Sequence, residues 1–253
     1  MPYTRDVILA GSAFGLQQLT LEQARPAWSE PYRVDGARLL LPLEGALGCK
    51  VADRAWHCDA SVALWLEPGQ AYRLRQPARG QRSLLITLVD SESRSCRVPV
   101  PPATHWRLLR LRRTRAAADA LAAEEDLAAI VSTLTPPGGA RAIAYRAPVE
   151  RALAFLSARF TQGDRLGEIA RAVSCSPYHL ARCFRRTTGL TLHEWRTRLR
   201  MAQALRCLAQ GRASLAELAL DLGYASHSHF GQAFRATFGI APSQVRRILI
   251  AAG

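Results

Sequence analysis

Leu166-Gly167-Glu168-Ile169-Ala170 and Leu215-Ala216-Glu217-Leu218-Ala219 are one pattern written twice, 49 residues apart. Downstream the match continues at a spacing of 50, where Phe184-Arg185, Gly189-Leu190 and Arg196 correspond to Phe234-Arg235, Gly239-Ile240 and Arg246. The extra residue falls where Ser174-Cys175 becomes Gly223-Tyr224-Ala225, at a turn. Two copies of one helix-turn-helix unit account for this pattern. Ser214 with Glu217 three residues on is a capping box that opens the first helix of the second copy. The second helices are read as beginning at Ser176-Pro177 and Ser226. A serine there accepts first-turn N–H groups, and a proline at the first helical position loses no hydrogen bond.

On a helical wheel, Leu180 with Phe184 and Phe230 with Phe234 are i,i+4 apolar pairs that must face a core. Opposite them the first copy presents Tyr178, Ala181, Arg182 and Arg185, and the second Ser228, Gly231, Gln232 and Arg235. Such a face suits the reading of bases. Arg bonds G bidentately, Gln bonds A, and small or aromatic side chains meet methyls, sugars and phosphates. Solvation explains any one of these positions, but not a polar face repeated at matching places. Between the units, Leu192, Trp195, Leu199, Ala202 and Leu205 follow helical spacing. They predict one long helix that holds two reading heads about one turn of B-DNA, roughly 34 Å, apart. Arg196, Arg198 and Arg200 on that helix are expected either to meet phosphate or to be solvated.

The charge distribution agrees. The chain of 253 residues carries 34 Lys+Arg against 20 Asp+Glu, a net charge of +14. Residues 148–253 hold 15 arginines and six acids, so the shorter C-terminal part carries most of the excess. A basic half of this kind fits a polyanionic partner.

At this level of detail residues 149–247 resemble the DNA-binding domain of the AraC/XylS family of bacterial transcription regulators. The resemblance rests on Leu-x-Glu-Ile-Ala at 166–170, Ser-Pro-Tyr-His-Leu-x-Arg-x-Phe at 176–184, Thr188-Gly189 and Arg-Leu-Arg-Met-Ala-x-Ala-Leu at 198–205. It continues through Ala219-Leu220-Asp221-Leu222-Gly223-Tyr224, His229-Phe230, Ala233-Phe234-Arg235, Phe238-Gly239, Pro242-Ser243 and Arg246. The resemblance implies that the first reading helix uses Tyr178, Ala181 and Arg182, and the second His227, Ser228 and Gln232. Ala181 departs from the longer polar residue common at that position, so its contact is expected to be apolar. Sequence-specific binding to double-stranded promoter DNA, activation, and RNA polymerase as a partner are implied too.

Ahead of this domain the first 110 or so residues read as β. Strands are expected at Gln17–Glu22, Arg38–Leu43, Ala46–Val51, Ala55–Cys58, Val62–Leu66, Ala71–Arg75 and Arg82–Val89, with turn residues between them. Ala120, Ala123, Leu127, Ile130 and Leu134 then recur at helical spacing. That stripe either packs on the β-domain or forms a homodimer interface, and Thr135-Pro136-Pro137-Gly138-Gly139 ends it as a linker. The family resemblance implies that the β-domain is cupin-like and serves as an effector or dimerisation domain. Leu43-x-Gly45 and Leu66-Glu67-Pro68-Gly69 echo cupin spacing.

A cupin-type enzyme with an appended DNA-binding module is the opposing reading. It fits poorly, because metal cupins need clustered His and Glu ligands. Only His57 and His105 precede residue 148, and Tyr72 stands where a ligand histidine would follow Pro68-Gly69. No metal, cofactor or catalytic residue is therefore expected. Were Asp53-Arg54 a two-residue hairpin turn, Cys49 and Cys58 would be direct cross-strand neighbours about 5 Å apart, a candidate thiol sensor. A small organic effector in the barrel is the other option, with Arg73, Arg75, Arg79 and Arg82 favouring an anionic one.

The expected architecture is α+β and two-domain. It comprises a cupin-like β-barrel over 1–113, an amphipathic helix and linker over 114–147, and an all-α domain over 148–253. The all-α domain has two helix-turn-helix units joined by a long helix. No apolar run approaches the roughly 20 residues that cross a bilayer, and no secretory signal opens the chain, so the expected location is the cytoplasm.

Overall fold

The computed structural model describes residues 3–11, 14–21, 27–33, 35–75, 81–88, 95–113, 120–135, 146–211 and 214–251. The chain divides into two compact units. One is Met1–Val100 with Leu127–Ala154, and the other is Pro101–Asp126 with Phe155–Gly253. The expected linker residues 136–139 lie outside the described residues.

The first unit is built on ten strands: β1 (Tyr3–Ala10), β2 (Phe14–Leu21), β3 (Tyr32–Arg33), β4 (Ala37–Glu44), β5 (Leu47–Val51), β6 (Arg54–Cys58), β7 (Val62–Leu66), β8 (Ala71–Arg75), β9 (Gln81–Leu88) and β10 (Cys96–Pro99). They form a six-stranded sheet in the order β1-β2-β9-β4-β7-β10 and a four-stranded sheet in the order β3-β8-β5-β6. The expected barrel does not close: among the described residues no strand pairing joins the two sheets. Side chains of both nevertheless meet in one core. Leu40, Leu64, Leu66 and Leu85 from the larger sheet pack with Leu47, Cys49, Trp56, Cys58 and Tyr72 from the smaller.

The larger sheet is buried on its other face as well. Leu39, Leu41, Leu84, Ile86 and Trp65 alternate with the core residues and are at most 1% exposed. Burial on both faces is why β4 and β9 read as nearly unbroken apolar runs and not as polar–apolar alternation. Trp65 donates its indole N–H to the Leu134 carbonyl at 2.6 Å, at the end of helix α2 (Ala120–Leu134). Leu127, Ile130 and Leu134 are fully buried. Each such side chain stabilises by roughly 1.5–3 kcal/mol, so the C-terminal three residues of the amphipathic stripe are packed within the chain.

Sheet register corrects the thiol reading. Val51 pairs with Arg54, which puts the two-residue turn at Ala52-Asp53, one position earlier than expected. Cys49 consequently faces Trp56, and Cys58 faces Leu47. The two thiols share the buried face as diagonal neighbours, not as a direct pair. Ala52 takes φ 50°, a left-handed conformation that no glycine or asparagine advertises. Burial pushes the Cys58 thiol up to about 12 and raises Cys49 well above its ordinary value, so no thiolate is prepared at neutral pH.

Folding favours the protonated Cys58 thiol. Its contribution is complete below pH 9 and fades as the pH rises from 9 towards 12. Titration of the native chain with a thiol reagent at pH 8 is expected to label the half-buried Cys175 and Cys207 first. Rapid labelling of Cys49 or Cys58 would contradict this packing.

The second unit is helical. It holds α1 (Pro102–Arg113), the end of α3 (Ala147–Arg159), α4 (Leu166–Ala172), α5 (Pro177–Thr188), α6 (Leu192–Gln210), α7 (Leu215–Asp221), α8 (His227–Phe238) and α9 (Pro242–Ala251). Two of these placements differ from the expected boundaries. Helix α1 belongs with the C-terminal helices, where Trp106 and Leu109 cover the cluster of Met201, Leu205, Leu208, Phe230 and Phe234. Residues 127–154 belong with the sheets.

Candidate nucleic-acid interface

The repeat seen in the sequence is a repeat of structure. Helices α4 and α5 form the first helix-turn-helix and α7 and α8 the second, with α6 between them. Glu168 of α4 and Glu217 of α7 each turn back to accept the N–H of the residue preceding their helix, at 2.5 and 2.9 Å. Glu194 does the same at α6, and Gln244 at α9. Hydrogen bonding from the Thr191 N–H holds the Glu194 carboxyl below the usual carboxylate range.

The turns match too. Ser174 and Gly223 occupy the left-handed region at φ 54° and 77°. The Cys175 and Tyr224 N–H groups each bond back to a carbonyl of the preceding helix, Ala170 and Ala219, at 3.0 and 2.9 Å. Ser176 and Ser226 then cap the second helices, accepting the N–H groups of His179 and His229 at 3.3 and 3.2 Å. The inserted residue is therefore Ala225, between turn and cap.

Each second helix buries one face and offers the other. In α5, Leu180, Cys183 and Phe184 are buried, and Phe184 meets Trp195 of α6 edge to face at 5.7 Å. In α8, Phe230 and Phe234 are buried in a chain of ring contacts running from Tyr224 to Phe238. On the open side of α5, Tyr178 is 74% exposed, Arg182 and Arg185 are exposed, and Ala181 is half-buried. The Arg182 guanidinium lies 5.6 Å above the Tyr178 ring. These four residues, with Arg186 and Thr191, line one shallow concavity. Arg186 was not among the residues expected from the wheel, although Arg185-Arg186 is a visible basic pair at the end of α5. On α8, His227, Ser228, Gln232 and Arg235 are all exposed. The residues expected to read bases thus lie together on α5 in the first motif and on α8 in the second.

Two of the three α6 arginines, Arg196 and Arg200, have a different occupation from either one expected of them. Arg196 donates to the carbonyls of Gln162 and Asp164 at 3.1 and 2.8 Å. Arg200 donates to those of Phe160 and Gln162 at 2.7 and 3.2 Å, and its guanidinium lies 5.3 Å above the Tyr224 ring. Asp164 in turn binds Arg159 through two contacts of 3.1 and 2.9 Å. The turn between α3 and α4 is thereby tied to α6 and, through Tyr224, to the turn of the second unit.

This junction assigns Arg200 to architecture. Arg200→Ala is expected to destabilise the chain by about 1.5–3 kcal/mol, the scale of hydrogen bonds to a charged group. The salt dependence of DNA binding should not change. A shallower salt slope with unaltered melting would make Arg200 a phosphate contact instead.

Residues 169–248 match the family model described as a helix-turn-helix domain. The regulatory protein PocR of Salmonella typhimurium is 30% identical over 99 residues, covering 39% of this chain and 33% of PocR. The virulence regulon transcriptional activator VirF of Yersinia enterocolitica is 31% identical over 104 residues, covering 41% of this chain and 38% of VirF. The chain thus spans about a third of the length of these curated relatives. Among solved structures, the C-terminal domain of AraT, a response regulator from Geobacillus stearothermophilus, is 28% identical. That match covers 41% of this chain and 87% of the other, with a TM-score of 0.40.

Proposed function

We propose that this chain, whose residues 169–248 are a helix-turn-helix domain of the AraC type, is a sequence-specific transcription regulator that activates promoters. The observation that carries the reading is the matched pair of open polar faces, each on a capped helix whose other face is buried. Tyr178, Ala181, Arg182 and Arg185 would read one major-groove segment, and His227, Ser228, Gln232 and Arg235 the next. The side-chain types divide the work. Arg182 and Gln232 can address base edges, while Arg185 and Arg235, nearer the helix ends, suit phosphates.

The sheet unit, cupin-like in this reading, would sense a small molecule and alter DNA occupancy. RNA polymerase is the partner an activator needs. The enzyme reading has less support: the relatives named above are a regulatory protein and a transcriptional activator. A transcription assay with purified polymerase and a promoter carrying the selected site tests activation. Added full-length protein is expected to raise transcript yield; an unchanged or lowered yield would remove activation from the proposal.

A further inference from the structure

Between the two sheets of the first unit lies a cavity of about 200 Å³ that the DNA-reading function does not use. Its wall is part leucine and part polar, with Leu19, Leu40, Leu47 and Leu85 among the lining residues. Set into that wall is Arg38 of β4, on the same strand face as Leu40. Arg38 donates from Nη1 to the Tyr72 hydroxyl at 3.3 Å. Its Nε is shut off from solvent without a hydrogen-bond partner, and among the described residues it has no carboxylate partner. Arg5 and Arg33, both exposed, add positive charge to the lining, which contains no Asp or Glu among the described residues. Ser83 and Gln81, 2% and 3% exposed, bring a hydroxyl and an amide to the same space.

This is an unbalanced arrangement. Arg38 is half-buried, and a guanidinium partly withdrawn from water with no carboxylate beside it gains from an anion that accepts its outer N–H groups. The leucine part of the wall in turn gains from an apolar body. A bare inorganic anion would leave that wall against water, and the arginines would repel a metal cation. Size narrows the class further, since a cavity of roughly 150 Å³ accommodates benzene.

We infer that this cavity binds a small organic monocarboxylate with a body of about one ring or a short alkyl chain, its carboxylate held by Arg38 and the Tyr72 hydroxyl. The inference rests on the proposal that the sheet unit senses a small molecule, and it names the class and the site. It also moves the anion-binding charge from where the sequence suggested. Arg73 and Arg75 are exposed, Arg82 pairs with Glu44 at 3.2 Å, and Arg79 lies outside the described residues.

Calorimetric titration of the full-length chain tests this with cyclohexanecarboxylate, hexanoate and phenylacetate, each beside its uncharged amide. At least one acid is expected to bind saturably, one per chain, and its amide at least tenfold more weakly. Arg38→Gln should weaken the acid by about 10–100-fold and leave the amide unchanged, as loss of a charge-assisted bond requires. Tyr72→Phe, which keeps the ring, should weaken it several-fold. A cooperative melt of each variant separates lost binding from lost folding. Equal binding of acid and amide, or no binding by any of the three acids, would overturn the inference. The same samples are titrated with the selected DNA duplex. Intact DNA binding without acid binding defeats this inference alone, whereas absent sequence-specific DNA binding defeats the regulator reading.

Discussion

Gly223→Ala is expected to destabilise the full-length chain by about 3–5 kcal/mol, in the range reserved for a broken packing contact or a special backbone conformation. Two effects add. At φ 77° any residue with a Cβ is strained, by about 1–2 kcal/mol. In addition, a Cβ at this position would stand 1.9 Å from the Thr161 carbonyl oxygen and 2.8 Å from Arg200 Nη2. The Thr161 carbonyl cannot yield cheaply, because it is backbone and sits in the turn that Arg196 and Arg200 hold by its carbonyls. Gly189 and Gly239 provide the control. Both end their helices at φ 75°, but nothing lies within 4 Å of the added carbon. Their alanine variants should lose only the conformational cost of about 1–2 kcal/mol. Denaturant unfolding of the three variants checks the difference, and equal losses would mean that the junction around Thr161 is not as tight as described.

Replacing one reader on each unit is expected to have the largest effect on DNA binding. Arg182→Ala and Gln232→Ala should each cost roughly 1–3 kcal/mol on the preferred site and relax the preference at one base pair. The two side chains sit on separate helices and share no partner, so the double variant should lose close to the sum. That loss would bring specific binding most of the way to the non-specific level. Neither substitution removes a buried contact, since both positions are exposed, so melting temperatures should hold. Binding to a selected duplex and to random DNA at one stated salt concentration separates the alternatives. An equal loss on both would assign the residue to phosphate.

What the sequence made legible, and what it hid, follows from where the deciding contacts lie. The pair of helix-turn-helix motifs was readable because its signals are local. Capping pairs three residues apart, i,i+4 apolar pairs and helix-ending glycines each act within one turn of chain, and the duplication showed them twice. Strands β7 and β8 were found at their observed bounds for a similar reason. Edge strand β1 was missed: Thr4-Arg5-Asp6 is exposed, so only part of it follows an apolar pattern. Helix α1 was missed because arginines dilute its buried stripe of Thr104, Leu108 and Leu111. Where partners are distant in sequence, local reading could not succeed. Arg196 and Arg200 look like solvated or phosphate-seeking charges until the carbonyls of residues 160–164 come within reach. The β5–β6 turn misled because an alanine takes the left-handed position there, and a shift of one residue moved Cys49 from Cys58 to Trp56. Arg38 lies inside a strand of leucines and gives no sign from sequence of facing a cavity.

The central claim is that two separate helices of one chain read DNA together. Selection of bound duplexes from a random library by the full-length protein, at a stated salt concentration, tests it directly. The account predicts a motif of two conserved blocks centred about one helical turn, 10–10.5 base pairs, apart. Arg182→Ala should blur one block and Gln232→Ala the other. A single block that both variants blur together, or enrichment with no motif, would contradict it.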